Sequence, residues 1–193
     1  MCIRDSSIPA GLTNEEWSTT SNGAISVFGE GGAGCSAQSP NGDACDESWS
    51  LEEYGRLYNW YAVDDARLLC PSGWHVPSDQ EWISFEMTLG IGEEEANSLG
   101  EHGTNQGIQL KSASGWNNNG NGTDELNFSG RPAGNRLDVS GHFVNAGHAT
   151  YFWSSTLNED NAYSRQLVSE YDGIVRTLNG TKNDGFSVRC LKD

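Results

Sequence analysis

Positive charge is scarce in this chain. Eleven Lys and Arg stand against 27 Asp and Glu, a formal net charge of −16 over 193 residues. Phosphate recognition needs a basic footprint, and anionic membranes recruit basic segments, so neither nucleic acid nor a lipid surface is an expected partner. Long apolar runs are missing too. The longest are a few residues, far below the roughly 20 of a spanning helix, so no membrane insertion is expected. Residues 1–6, Met-Cys-Ile-Arg-Asp-Ser, carry no apolar core of the signal-peptide kind and read as a non-native or disordered leader. Metal-ligand spacing is lacking as well. His75, His102, His142 and His148 have no Glu-x-x-His or Cys-x-x-Cys company, so a zinc centre has no support. His75, between Trp74 and Val76, reads as a hydrogen-bonded structural histidine. Among 27 acids some pair is always close, so a glycosidase dyad is not indicated. No catalytic residue is assigned.

What is present is glycine, tryptophan and cysteine. The length suits one domain with a real core. Five cysteines read as two disulfides and one stray thiol, Cys2. Cys35 and Cys45 sit in a Gly/Asn/Asp/Ser-rich stretch, and Cys70 and Cys190 at the edges of apolar runs. In the chain-entropy model a long bridge contributes about 4–5 kcal/mol and a short one about 2–3 kcal/mol. That points to an oxidising compartment: extracellular, cell surface or periplasm. The alternative is that Cys70 and Cys190 are ordinary buried thiols.

Along the chain, Thr13 or Asn14 starts a short helix, and residues 24–28 suit a short strand. Residues 29–48 read as a surface loop pinned by Cys35 and Cys45. Leu57, Tyr58, Tyr61, Ala62 and Leu68 recur at helical spacing, which predicts a helix over 52–69. Trp74-His-Val is a short buried extended piece. Ser78 and Glu81 form a capping box, with Trp82, Phe85 and Leu89 on one face of the helix it opens. Residues 92–107 read as an exposed acidic excursion and 107–112 as a strand; turn chemistry then separates short strands from 128 to 191. Helices followed by an antiparallel sheet make an α+β chain. Trp60, Trp74, Trp82 and Trp153 are assigned to its core.

Five motifs occur in order: Gly-Arg-Leu-Tyr-Asn-Trp-Tyr-Ala-Val from Gly55, Cys-Pro-Ser-Gly-Trp-His-Val-Pro-Ser-Asp-Gln-Glu-Trp from Cys70, Leu-Lys-Ser-Ala-Ser-Gly-Trp-Asn-Asn-Asn-Gly-Asn-Gly-Thr-Asp from Leu110, Trp-Ser-Ser-Thr from Trp153 and Gly-Phe-Ser-Val-Arg-Cys from Gly185. Together they resemble the Fibrobacter succinogenes major paralogous domain family, within the C-type lectin-like superfamily. The resemblance implies one lectin-like domain over 7–193: two helices packed on a short-stranded antiparallel sheet with long loops, on a secreted or surface-anchored bacterial protein. It also implies a bridge from a helix cysteine to the last strand, matching Cys70 and Cys190. Family domains begin with a further strand ending in a Gln-Thr-Trp-Met-like motif, which this chain does not match, so the N-terminal strand is expected to be missing and an edge unpaired. Formylglycine-generating enzymes, related within the superfamily, use copper-binding cysteines. Here the matching pair is better used as the bridge.

The expected function is recognition or adhesion, with a glycan or protein ligand and no catalysis. The alternatives are an enzyme related to the formylglycine-generating type, a carbohydrate hydrolase, or a structural surface-layer module. Trp116, Tyr151, Tyr163 and Tyr171 lie beside polar loops and suit ring stacking. With Asn118, Asn119 and Asn179 they are the candidate ligand contacts, on a loop face built from 116–125, 157–161 and 179–184. Asn119, Asn121, Asp124 and Glu125 offer hard oxygens to a structural calcium ion, the one cofactor considered, against a glycine-and-asparagine turn as the alternative. Three Asn-x-Ser/Thr triplets, from Asn121, Asn127 and Asn179, read as turns and strand starts. Thiol titration of the unreduced, denatured protein is expected to find one free thiol; five would remove the bridged scaffold and revive a redox or copper role.

Overall fold

A computed structural model describes residues 8–32, 35, 39–65 and 69–193. In chain order the elements are α1 (Asn14–Thr19), β1 (Ile25–Val27), α2 (Glu47–Glu53), β2 (Arg56–Tyr58), α3 (Trp60–Val63), β3 (Trp74–His75), α4 (Asp79–Thr88), α5 (Glu93–Ala96), β4 (Gly100–His102), α6 (Gln106–Leu110), β5 (Ala133–Arg136), β6 (Phe143–Ala146), β7 (Ala149–Asn158), β8 (Asn161–Val168), β9 (Ile174–Thr181) and β10 (Leu191–Lys192). Six strands form one sheet in the order β4-β9-β8-β7-β5-β6. Its neighbours run antiparallel except β5 and β7, which meet in parallel at Gly134 and Thr150. Two antiparallel ribbons, β1–β2 and β3–β10, lie outside it. The chain is α+β, as the order of sequence signals expects. The leader and Leu68 lie outside the described residues.

The strongest local signals hold. Thr13 and Ser78 cap α1 and α4 in capping boxes closed by Glu16 and Glu81. On α4, Trp82 and Ile83 enter the main core with Trp116, Phe152, Leu167 and Ile174, while Phe85 and Leu89 pack partly against it. Trp60, Trp82 and Trp153 are buried. Their indole N–H groups donate to the carbonyls of Ser154, Trp153 and Tyr58 at 3.0, 3.4 and 2.7 Å, which meets the need of a buried indole for a polar partner. Both disulfides form. Cys35–Cys45 and Cys70–Cys190 each have Cα atoms 5.8 Å apart, across sequence separations of 10 and 120 residues.

Five expectations need correction. The helix over 52–69 is broken. Gly55 takes φ +80° and ends α2, a left-handed conformation that favours glycine. Leu57 and Tyr58 then pair with β1 instead of extending a helix; long-range pairing overrides the helical spacing. The strand over 107–112 is a one-turn helix, α6. Gly107 packs so tightly on Gly173 that a Cβ would lie 1.9 Å from its carbonyl oxygen, and two apolar residues cannot distinguish a period of 2 from one of 3.6. The excursion over 92–107 joins the fold: Ala96, His102 and Gln106 are buried, and β4 closes one edge of the sheet. Trp74 leaves the core, being 42% exposed on the β3–β10 ribbon. Cys70 follows α3 in irregular structure, so the long bridge joins a bend to the approach to β10.

A buried ionic network fixes α4 to the sheet. Asp79 and Glu86 are seven residues apart, two turns, and so share a helix face. Arg165 of β8 bonds Glu86 and lies 2.8 Å from Asp79. Arg176 of β9 grips both Asp79 oxygens at 3.0 and 2.6 Å and donates to the Asn97 carbonyl at 2.8 Å. His102 of β4 meets Glu86 at 3.1 Å. Burial alone would raise the Asp79 carboxyl; the hydrogen bonds and charges of Arg176 and Arg165 outweigh it and hold it below the ordinary carboxylate value. Removing one partner strands a buried charge. Asp79→Ala is therefore expected to cost about 3–5 kcal/mol, read as a lower urea midpoint at unchanged slope. A loss of only about 0–1 kcal/mol, the worth of an exposed pair, would contradict the network.

A candidate ligand-binding cleft

The extended segment 185–190 crosses between the ribbon strand β2 and the sheet. Gly185 and Arg136 of β5 exchange hydrogen bonds at 2.7 and 3.0 Å. Phe186 and Tyr58 of β2 do the same at 2.8 and 3.0 Å. Ser187 donates to Tyr151 and accepts from Trp153, both on β7, at 2.9 and 3.1 Å. Cys190 is then joined to Cys70, and β10 pairs with β3, placing Trp74 opposite Lys192. The segment thus meets β2, β5 and β7 in successive residues.

A cleft of about 390 Å³ opens beside this crossing. Thr150 and Phe152 of β7 line it, with Tyr54 at the end of α2 and Arg56 and Tyr58 of β2. Ser129, Arg131 and Ala133 come from the approach to β5, and Ser187, Val188, Arg189 and Cys190 from the crossing. Pro71 and the exposed Trp74 complete the lining. No aspartate, glutamate or histidine belongs to it among the described residues.

Its charge comes from guanidinium groups. Arg131 Nη1 lies 2.6 Å from the Glu53 carboxylate on a half-exposed side chain. Arg189 sits 4.5 Å over the Phe128 ring and donates to the Phe128 carbonyl. Burial pushes the Arg189 pKa down, partly offset by the charge of Asp124. Thr150 is 1% exposed and its hydroxyl has no hydrogen-bond partner, a costly state for a buried polar group. A smaller, mostly apolar hollow of about 210 Å³ shares Arg189 and Cys190 with the cleft and is lined further by Pro77, Glu81, Trp82, Phe85, Phe128 and Leu191.

The family described as the Fibrobacter succinogenes major domain matches residues 16–192, nearly the whole chain. The chain belongs to that family. No curated protein and no solved structure matches it.

Within this Fibrobacter succinogenes major domain, the loop face drawn from sequence does not assemble. Strands β7 and β8 run antiparallel from Ala149↔Val168 to Asn158↔Asn161. Residues 157–161 form the far tip, and 179–184 join them there through Asn161↔Thr181. Residues 116–125 sit at the other end: Asn117 donates to the Gly147 carbonyl, and Gly120 packs on Ser169. The ten residues of β7 put the two ends about 30 Å apart.

The individual candidates are equally dispersed. Trp116 is 2% exposed, its indole donating to Ser112 Oγ and the Gly130 carbonyl at 3.1 and 3.2 Å, so it offers no ring face. Tyr151 stacks on Phe186 at 4.9 Å and accepts from Asn145. Tyr163 lies beneath the Arg176 guanidinium at 4.6 Å. Tyr171 donates weakly to the Gly103 carbonyl at 3.4 Å. Asn118, Asn119 and Asn179 are exposed, and Asn118 donates to Glu170. In the candidate calcium set, Asn121 Oδ1 accepts from Trp116 N at 3.0 Å, and the Asp124 oxygens accept from Ser129 N and Oγ at 2.7 and 2.8 Å. Asn118, Asn119 and Asp124 take φ of 55°, 60° and 50°, the turn chemistry these residue types tolerate. Asn119 and Glu125 are exposed beside them. Sequence reasoning missed Arg56, Arg131, Arg189 and Thr150. The usable signal was the rarity of positive charge, which makes each unburied arginine informative.

One carboxylate at the far end titrates unusually. Burial, with the charge of nearby Asp138, pushes Asp184 up to about 6. It accepts from Thr181 N at 2.9 Å, and the Thr181 hydroxyl also donates to Asp138 at 2.8 Å. A folded-state pKa above the unfolded one means the folded protein binds more protons in between. Stability from this group is full below about pH 4 and is lost as pH rises through about 6. Melting temperature measured across that window is expected to fall more steeply in the wild type than in Asp184→Asn, which cannot ionise; parallel profiles would contradict the assignment.

Proposed function

We propose that this domain is an extracellular, C-type lectin-like recognition module that binds a glycan or protein ligand in the cleft beneath Trp74, without catalysis. The observation that carries the reading is the lining of that cleft. Aromatic side chains, hydroxyls and guanidinium groups line it together, with no carboxylate, imidazole or free thiol among the lining residues. Such a set orients a ligand but holds no acid–base pair to turn it over. A rim tryptophan with an exposed ring is a common energetic anchor of recognition sites.

The cysteines support the same reading. Two disulfides suit an oxidising, extracellular or periplasmic environment, and surface attachment is the setting an adhesion module needs. No helix among the described residues is long and apolar enough to cross a membrane. An enzyme of the formylglycine-generating type needs reactive thiols, whereas Cys70 and Cys190 are joined to each other and so are Cys35 and Cys45.

A glycan array and a peptide library probed with wild type and Trp74→Ala test the proposal. The wild type is expected to capture a ligand. The variant, altered at an exposed rim residue, is expected to keep its melting temperature and lose about tenfold or more in affinity, ~1.4 kcal/mol. Equal capture by both proteins would place recognition elsewhere.

A further inference from the structure

We infer that the cleft is selective for an acidic saccharide, a sugar carrying a carboxylate. This rests on the cleft being the recognition site and goes beyond it by naming the ligand's charge. The chain has 27 acidic residues, yet none among the described residues lines the cleft. Six arginines lie among the described residues. Arg136, Arg165 and Arg176 are buried in the interior. The other three, Arg56, Arg131 and Arg189, all line this one cleft.

Each guanidinium has five N–H donors in a planar fork that matches a carboxylate. Arg131 spends contacts on Glu53, and Arg189 on the Phe128 carbonyl, leaving both oriented with donors to spare. The buried Thr150 hydroxyl adds an unused polar group in the same wall. The exposed Trp74 adds an indole, which suits the apolar face of a pyranose better than an extended acidic peptide. The net charge of −16 does not forbid an anion here. At physiological ionic strength the Debye length is about 8 Å, so distant acids are screened while contacts inside the cleft are not.

The test is titration calorimetry with a panel of uronic-acid oligosaccharides, galacturonate, mannuronate and glucuronate, beside their neutral methyl esters and a glutamate-rich peptide. At least one uronate is expected to bind, with its ester and the peptide tenfold or more weaker. Arg131→Ala is expected to weaken uronate binding at least tenfold at unchanged melting temperature, Arg131→Lys less so, and Trp74→Ala to weaken it as well. Esters that bind as tightly as the acids, with loss in Trp74→Ala but not in Arg131→Ala, would overturn the charge selectivity and leave the cleft as the recognition site. Preference for the peptide would overturn the saccharide assignment. Binding unchanged in both alanine variants, or absent across the panel, would overturn the inference altogether, the former also removing the cleft as the site.

Discussion

The architecture depends on one extended segment, residues 185–190, held simultaneously by strands distant in sequence. Within three residues it bonds Arg136, Tyr58, Tyr151 and Trp153. Phe186 inserts its ring against Trp153 at 4.2 Å and Tyr151 at 4.9 Å. The Trp153 indole in turn donates to the Tyr58 carbonyl at 2.7 Å, so the ring that packs the segment also reinforces its partner strand. The Cys70–Cys190 bond fixes the end of the crossing covalently. Residues 187–190 are also one wall of the cleft. The crossing segment and one wall of the proposed binding cleft are therefore the same residues, so ordering the fold also orders that wall. Affinity gained this way comes from entropy already lost in folding.

The second constraint works from the other side of the sheet. Two carboxylates on α4 meet two arginines on β8 and β9, and the main apolar core closes around the same helix. Buried ion pairs contribute little net stability compared with apolar packing of equal volume, but breaking one is expensive. Their role here is positional. Asp79 sits at the first turn of α4 and Glu86 in its last full turn, so the two contacts fix both the helix's rotation and its slide along the sheet. A purely apolar face would tolerate a shift of one turn; charged partners at both ends do not.

Local chemistry was legible in the sequence wherever it was self-contained. The Thr13–Glu16 and Ser78–Glu81 boxes name their own hydrogen bonds within four residues, and the turn residues between strands carry their own φ preferences. The cysteine positions and ordered motifs also gave the family. What failed was decided by distant partners. Leu57 and Tyr58 have helical spacing, but Leu57 pairs with Ser26 and Tyr58 with Ile25 and Phe186. His102 and Gln106 look like solvent-facing polar residues, yet Glu86 and the Leu89 carbonyl draw them inside. Trp116 and Trp74 exchange roles for the same reason: the first finds two acceptors for its indole in the interior, and the second sits on a two-residue ribbon with little above it. The cleft was invisible because its lining comes from five separate stretches between Tyr54 and Cys190.

The distribution of charge argues that the cleft is built and not incidental. Three guanidinium groups in one hollow repel each other, and burying Arg189 lowers its pKa, a sign that its charge is paid for in desolvation. A chain with so few cations has every opportunity to scatter them among its surface acids. Instead Glu53, which pairs with Arg131, and Asp124, whose charge acts on Arg189, both stand outside the lining, and three of the six described arginines lie within it. An arrangement that raises electrostatic cost in the unliganded protein is one whose cost a complementary anion would relieve.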